Sequence, residues 1–398
     1  MRKNIALTLT KISFFAMLTY SVLFLAVLRI QISNVTMLLG LFSVFFMIVD
    51  MAINNFDIRK LFTKELIILL ALAIYSLMSS LVFAEHKFSA FNGLFQLLQN
   101  MILMVVTVYI IVRDQKISFV AGSFVLIMLA MAIYALGNMG EFDVRLTLTE
   151  DTNANVLGHN AMCALMFLPL FVKPNKKWFN IVLILFAVLF ILTIVFSGSR
   201  MSFICMIVFG ALFFSRILPE SRNKGKNKSR LIASIVGLLA FVLLLYLLIP
   251  LFKGTLIYER MQSLFELASD EDGDGAGRIY LYKRAWELFK TNPVFGVGYA
   301  NFAPLNYGAY THSTYAEILS CTGLIGTGIY LAFYFQLKNR LKKGNNKEEK
   351  NQVTRLTMVI AFIVILVLGI GEIVFYKINY FIIFGLITGY GLINKKGN

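Results

Sequence analysis

The sequence predicts an all-α fold: a polytopic membrane helical bundle of about 12 transmembrane helices. A large external loop containing an amphipathic helix is expected before span 10. Two observations carry this. Hydrophobic residues make up 59% of the 398-residue chain and charged residues only 15%. Apolar runs long enough to cross a bilayer, about 20 residues each, recur from one end to the other. Inside hydrocarbon the backbone must satisfy its own hydrogen bonds, which selects helices over an open sheet.

The spans fall near residues 12–31, 35–53, 65–83, 94–112, 117–137, 156–172, 179–196, 200–218, 231–252, 313–336, 355–373 and 378–394. Residues 1–252 then hold spans one to nine, 253–312 form an external catalytic loop, and 313–398 hold the last three spans. The net charge of +16 follows this topology. Most of the 37 Lys and Arg residues lie in segments that are internal when both termini are cytoplasmic. The acidic residues gather on the other side. That is the positive-inside asymmetry of an inserted protein, and it argues against a nucleic-acid partner.

Cys163, Cys205 and Cys321 all lie inside expected spans, which speaks against a disulfide framework. Met1-Arg2-Lys3 before a long apolar run resembles a secretion signal. No small-residue cleavage pattern follows it, so it reads as an uncleaved first helix.

The first five spans read as scaffold, with Arg59, Lys60, Lys64, Arg113 and Lys116 marking internal connections. Glu85-His86-Lys87 forms a short outer turn without the ligand cluster a metal needs. A polar outer loop, 137–156, leads into Asn153-Ala154-Asn155, whose amides could cap the next helix. His159 and Asn160 follow inside span six, where a polar pair must face the bundle interior. Ser197-Gly198-Ser199-Arg200 is a tight outer connection. Arg200 could snorkel to water, but the exposed amides beside it make an anion-binding corner, and a guanidinium fork suits phosphate. The basic run from Arg216 to Arg230, and that from Lys338 to Arg355, fit the anionic inner leaflet.

About sixty residues, Lys253 to Thr311, lie outside between spans nine and ten, a length that points to function. Asp270 to Gly275 opens like a calcium loop, but Leu281 stands where the bidentate Glu belongs, so a solvated acidic turn is expected and no metal site. A helix then starts at Gly277-Arg278. Its apolar residues Ile279, Tyr282, Trp286 and Phe289 recur at helical spacing between Lys283, Arg284, Glu287 and Lys290, so it should lie on the membrane surface. Arg278 at the helix start is suited to an anion. Asn292-Pro293 stops the helix. Gly296-Val297-Gly298 is no dinucleotide fingerprint, because Asn301 occupies the third glycine position. His312 precedes span ten, with Glu317 just inside it. Glu372 and Tyr376 near the outer end of span eleven are possible supporting groups.

Three pieces of this chain carry a resemblance. Arg278, Pro293-Val294-Phe295-Gly296-Val297-Gly298, His312 and Gly323-Leu324-Ile325-Gly326 resemble the signature region of the O-antigen ligase and polymerase superfamily, which includes Wzy-type polysaccharide polymerases. Asn153 to Gly158 is similar to the family's N-P-N-A-L-G segment, and Ser197 to Arg200 to its S/T-G-S-R. The order agrees from Asn153 to Gly328. The chain departs from the pattern at Ser313, where the family usually shows Asn, and at Cys321, where an acidic residue is common.

The resemblance implies a glycosyltransferase. Its donor is a glycan on polyprenyl pyrophosphate at the outer leaflet, and its acceptor the sugar of another lipid-linked repeat unit. It implies catalytic roles for Arg200, Arg278 and His312, with Asn153, Asn155, Arg284 and Glu317 binding substrate. Two arginines would neutralise the diphosphate as charge develops, and His312 would take the acceptor proton or bind phosphate. Direct displacement inverts the anomeric centre, with no metal or cofactor. Membrane lipid and other polysaccharide-assembly proteins are the expected partners. A ligase moving the finished glycan to another acceptor is the nearest alternative. A lipid-linked glycan flippase or transporter is the alternative of another class; it should show broken helices, paired repeats and mid-membrane charges, and no half-to-half correspondence is visible.

Overall fold

The computed structural model describes residues 5–21, 35–139, 146–147, 153–173, 175–217, 274–342 and 349–394. Twelve α-helices and no strands occur among them. In chain order they are α1 (Ile5–Thr19), α2 (Val35–Ile53), α3 (Lys64–Phe83), α4 (Lys87–Asp114), α5 (Ser118–Gly137), α6 (Ala154–Leu165), α7 (Lys177–Phe196), α8 (Arg200–Ile217), α9 (Asp274–Thr291), α10 (Thr314–Lys342), α11 (Glu349–Gly371) and α12 (Ile378–Ile393). Eight candidate spans are long and apolar enough to cross a membrane, and α1, α8 and α12 are shorter apolar helices. The protein is a polytopic helical membrane protein. The expected ninth span and the acidic stretch 270–273 lie outside the described residues.

Several helices leave large apolar side chains in the open, as Leu41, Phe45 and Ile48 do on α2 and Ile184 and Leu185 on α7. Such faces suit lipid, which is as apolar as they are. The interior is a continuous core through α4, α5, α6, α10, α11 and α12, with Phe14, Phe124, Phe333 and Phe384 almost wholly buried.

One end of the bundle holds buried ion pairs. Arg340 of α10 donates Nε to Glu65 Oε1 at 2.7 Å and Nη2 to Oε2 at 3.0 Å. Arg113 Nε donates to Asp50 at 3.0 Å, and the Tyr109 hydroxyl donates to the same carboxylate. Both carboxylates are fully buried, so each must be matched by charge and by hydrogen bonds together. These pairs join α3 to α10 and α2 to α4, and the basic connections lie at this end.

The opposite end carries the loops, and one joint organises it. Helix α10 breaks at Gly323, which takes φ 61 and ψ −164. The turn Pro293–Gly298 docks into that break. Val297 and Gly298 donate their amides to the carbonyls of Ser320 and Cys321 at 3.0 Å each, and Leu324 donates to Pro293 at 2.9 Å. The backbone groups freed by the break thus find partners, as an apolar surround requires. A Cβ on Gly296 would sit 2.3 Å from the carbonyl carbon of Cys321, and one on Gly323 would sit 2.5 Å from that of Val294. Only glycine fits both positions. Helix α3 seals the joint: Tyr75 donates its hydroxyl to Thr322 O at 2.9 Å, and Ser79 donates to Phe295 O at 2.8 Å. The two motifs P-V-F-G-V-G and G-L-I-G are therefore halves of one joint.

Helix α9 lies on this end. It starts at Asp274, so Arg278 stands one turn inside the helix, beyond the free amides of the first turn. Leu281, Ala285 and Leu288 pack against Val297, Phe302 and Cys321. Ile279, Tyr280 and Trp286 stay exposed on another side. The helix has two apolar faces where the spacing suggested one.

Candidate functional site

The site is built at a corner where α6, α8 and α9 meet the end of α11. Ser199 caps the start of α8, its Oγ accepting the Ser202 amide at 3.4 Å and the Ser202 hydroxyl at 2.8 Å. Gly158 on α6 lets that corner come close, since a Cβ there would lie 2.4 Å from Ser197 Oγ and 2.9 Å from Ser199 Cβ. The approach sets Asn155 and His159, one on each side of Gly158 along α6, beside Arg200 at the first position of α8. On the far side the Tyr282 hydroxyl donates to Ile370 O at 3.2 Å, which ties α9 to the end of α11.

Between them opens a small cleft lined by Asn155, His159, Gly198, Ser199, Arg200, Met201, Arg278 and Gly371. Two guanidiniums from separate helices and an asparagine amide share one wall set. A compact dianion needs that chemistry: several donors and two positive charges, held before the ligand arrives.

The other expected residues fall elsewhere. Asn153 caps α6, its Oδ1 accepting the Asn155 amide at 2.8 Å. Arg284 is half-exposed on α9 and pairs with Glu287 at 3.2 Å. Glu317 is fully buried. It accepts the Thr311 hydroxyl at 2.9 Å and the Tyr376 hydroxyl at 3.3 Å, with the Cys321 thiol 3.8 Å away. In this structure Glu317 is spent on the protein's own loop.

His312 is not among the cleft-lining residues. Its backbone has φ 53, in the left-handed region where non-glycine residues are strained. The strain is held from both sides. Before it, Thr311 is tied to Glu317, and its Oγ1 accepts the Ser313 amide at 3.2 Å. After it, Thr314 donates its amide at 3.1 Å and its hydroxyl at 2.7 Å to the carbonyl of Glu372. Glu372 in turn presents its side chain to His159, so the His312 turn is fastened to the wall of the cleft.

Glu372 follows α11. Its Oε2 lies 3.3 Å from His159 Nδ1, a charge contact without the alignment of a hydrogen bond, and its Oε1 accepts the Ile373 amide at 3.0 Å. Burial pushes this carboxyl toward its neutral form. The His159 ring, Lys377 and the Ile373 amide outweigh burial and hold it down at about 2. Beside it, Asn379 donates to Asn160 Oδ1 at 2.6 Å, so the polar pair of α6 does face the interior.

No group of three or more His, Cys, Asp or Glu residues is placed to hold a metal among the described residues. Cys163, Cys205 and Cys321 are buried and free.

The helical fold and this cleft define an integral membrane protein with a cleft lined by two arginines at one end. Residues 185–331, from within α7 into α10, match the family model described as O-antigen ligase. Members handle glycans at the membrane. The matched region contains Arg200, Arg278, Arg284, His312 and Glu317; Asn155, His159 and Glu372 lie outside it. Among curated proteins none matches the chain.

Proposed function

We propose that the chain is a polysaccharide polymerase, transferring a glycan from polyprenyl pyrophosphate to a sugar hydroxyl of another lipid-linked repeat unit. The observation that carries this is the meeting of Arg200 and Arg278 in one cleft. They neutralise the diphosphate as the bond from the anomeric carbon to its oxygen breaks and the electron pair leaves with the prenyl diphosphate. The acceptor oxygen forms the new bond from the opposite face, inverting the centre, and His312 takes its proton. A diphosphate is a good leaving group, so these residues need no general acid or metal for its departure. Asn155 is placed to hold a sugar or phosphate oxygen. The loop end is the outer face of the cell membrane, with both chain termini on the cytoplasmic side.

The break in α10 is the feature a transporter would share. It is filled by the turn Pro293–Gly298, with hydrogen bonds on both sides, which supports the enzyme over a flippase.

A sizing gel of surface glycan from Arg278→Ala and His312→Ala cells tests this. Loss of the ladder with single units remaining is the expected result. Full-length glycan left on its lipid would make the chain a ligase, and glycan trapped in the cytoplasm would overturn both enzyme readings. Tyr307, fully exposed in the loop, gives an orientation check: Tyr307→Cys should react with an impermeant maleimide on intact cells.

A further inference from the structure

We infer that the end of α11, Ile370 to Glu372, is a positioning frame that sets Arg200, Arg278 and His312 relative to one another, through its contacts with Met201, Tyr282 and Thr314. The inference rests on the reading of the two arginines as the diphosphate-binding pair and of His312 as the proton acceptor. It adds to that reading the residues that hold those three in place. The frame itself lies outside the matched residues 185–331.

The physical starting point is how α11 ends. A helix leaves its last four carbonyls without intrahelical partners, and a helix end packed within a bundle must find donors elsewhere. The helix ends at Gly371. The carbonyl of Ile370 accepts the Tyr282 hydroxyl at 3.2 Å. The carbonyl of Glu372, one residue past the end, accepts the amide of Thr314 at 3.1 Å and its hydroxyl at 2.7 Å. The same Thr314 hydroxyl oxygen accepts the Val374 amide at 2.8 Å. One fully buried hydroxyl thus serves as donor and acceptor on either side of Ile373. Between the two carbonyls, Gly371 admits Met201: a Cβ there would lie 2.3 Å from Met201 Cγ.

Each of these three contacts comes from an element that carries one of the proposed reacting groups. Tyr282 stands four residues after Arg278 on α9, so the two share a face of the helix. Met201 is the neighbour of Arg200 in the first turn of α8. Thr314 opens α10 two residues after His312, whose left-handed φ of 53 persists only while the chain on either side is held. Three consecutive residues therefore gather three elements that the chain delivers from separate places. Transfer needs this, because the charges that hold the donor and the base that serves the acceptor must keep one separation before the substrates arrive. The two hydroxyls should act on different kinetic constants. Arg278 meets the diphosphate from the moment the donor binds, whereas His312 acts only as the acceptor proton leaves.

Donor turnover by the purified full chain in detergent tests this, with the lipid-linked repeat unit extracted from His312→Ala cells as substrate. Thr314→Val keeps the shape and removes the hydroxyl; kcat should fall about tenfold or more while KM stays within about twofold. Thr314→Ser keeps the hydroxyl and should recover most of that rate. Tyr282→Phe should raise KM for the donor by about threefold to tenfold, the size of one lost hydrogen bond, with a smaller change in kcat. Loosened packing alone would lower the melting temperature without dividing the two constants between the two hydroxyls. Variants that only melt lower, with kcat and KM as in wild type, overturn the frame, as does a Thr314→Ser no faster than Thr314→Val. If Thr314→Val does not fold, Tyr282→Phe decides alone, since Tyr282 is only partly buried; an unchanged KM then overturns the inference. Turnover by Arg278→Ala or His312→Ala at the wild-type rate, or none by wild type, would instead overturn the reading of the site on which the frame rests.

Discussion

Glu317 Oε2 accepts the hydroxyl hydrogen of Thr311 at 2.9 Å, one residue before the strained His312. That carboxylate, which the sequence suggests for substrate, anchors the turn that carries the histidine. Misplacing a reacting group by about 1 Å costs up to about 10²-fold in rate. Glu317→Ala should therefore lower kcat by about that factor and leave KM for the lipid-linked donor nearly unchanged. Glu317→Gln keeps an acceptor for Thr311 and should recover most of the loss. A rise in KM alone would return Glu317 to the substrate.

The joint in α10 makes a sharp prediction about glycine. Gly296→Ala places a Cβ 2.3 Å from the Cys321 backbone at a φ of +75, so it should destabilise by more than about 1 kcal/mol. Gly328→Ala, where a Cβ meets nothing within 4 Å, should be neutral or mildly stabilising in its helix. Thermal unfolding in detergent compares them directly.

Breaking the buried pair at the other end should be costly. Glu65→Ala leaves Arg340 charged and unmatched, at about 3–5 kcal/mol. Replacing both residues with Met removes the two charges together and should be close to neutral, because desolvation offsets most of what the pair gains. Transfer activity of the double variant should persist, since neither residue approaches the cleft.

Glu372 gives a pH dependence of stability with a defined sign. Its folded value, about 2, lies below the ordinary 4.5, so ionisation favours the folded state. The contribution is complete above about pH 4.5 and is lost as pH falls toward 2. Glu372→Gln should thus lower the melting temperature at pH 7, and the gap from wild type should close on acidification over that interval. A constant gap would mean that the loss is one of shape rather than charge.

Most helix positions were legible because an apolar run of bilayer length has few other fates: 35–53 was expected and Val35–Ile53 is observed. The break at Gly323 was not. Gly-Leu-Ile-Gly is apolar and continues a helix by local pattern, and the partner that fills the gap lies some thirty residues earlier in the chain. Arg200 and Arg278 stand out in sequence by their neighbours, and the fold brings them to one cleft, but the anion argument for Arg278 relied on a helix start that in fact lies at Asp274. His159 had one visible signal, a polar residue within a span. Glu372 was visible as a candidate supporting group near the end of its span, but its pairing with His159 was not, because nothing local in the sequence reports a contact between the second turn of α6 and the end of α11.

The most direct test of the shared cleft is a double-mutant cycle on donor turnover, using Arg200→Lys, Arg278→Lys and the double variant. Lysine keeps the charge and removes the fork, so residual rates stay measurable. If both guanidiniums grip one diphosphate, the losses should be non-additive, with a coupling above about 1 kcal/mol. Losses that simply add would place the two arginines at separate tasks and contradict the account.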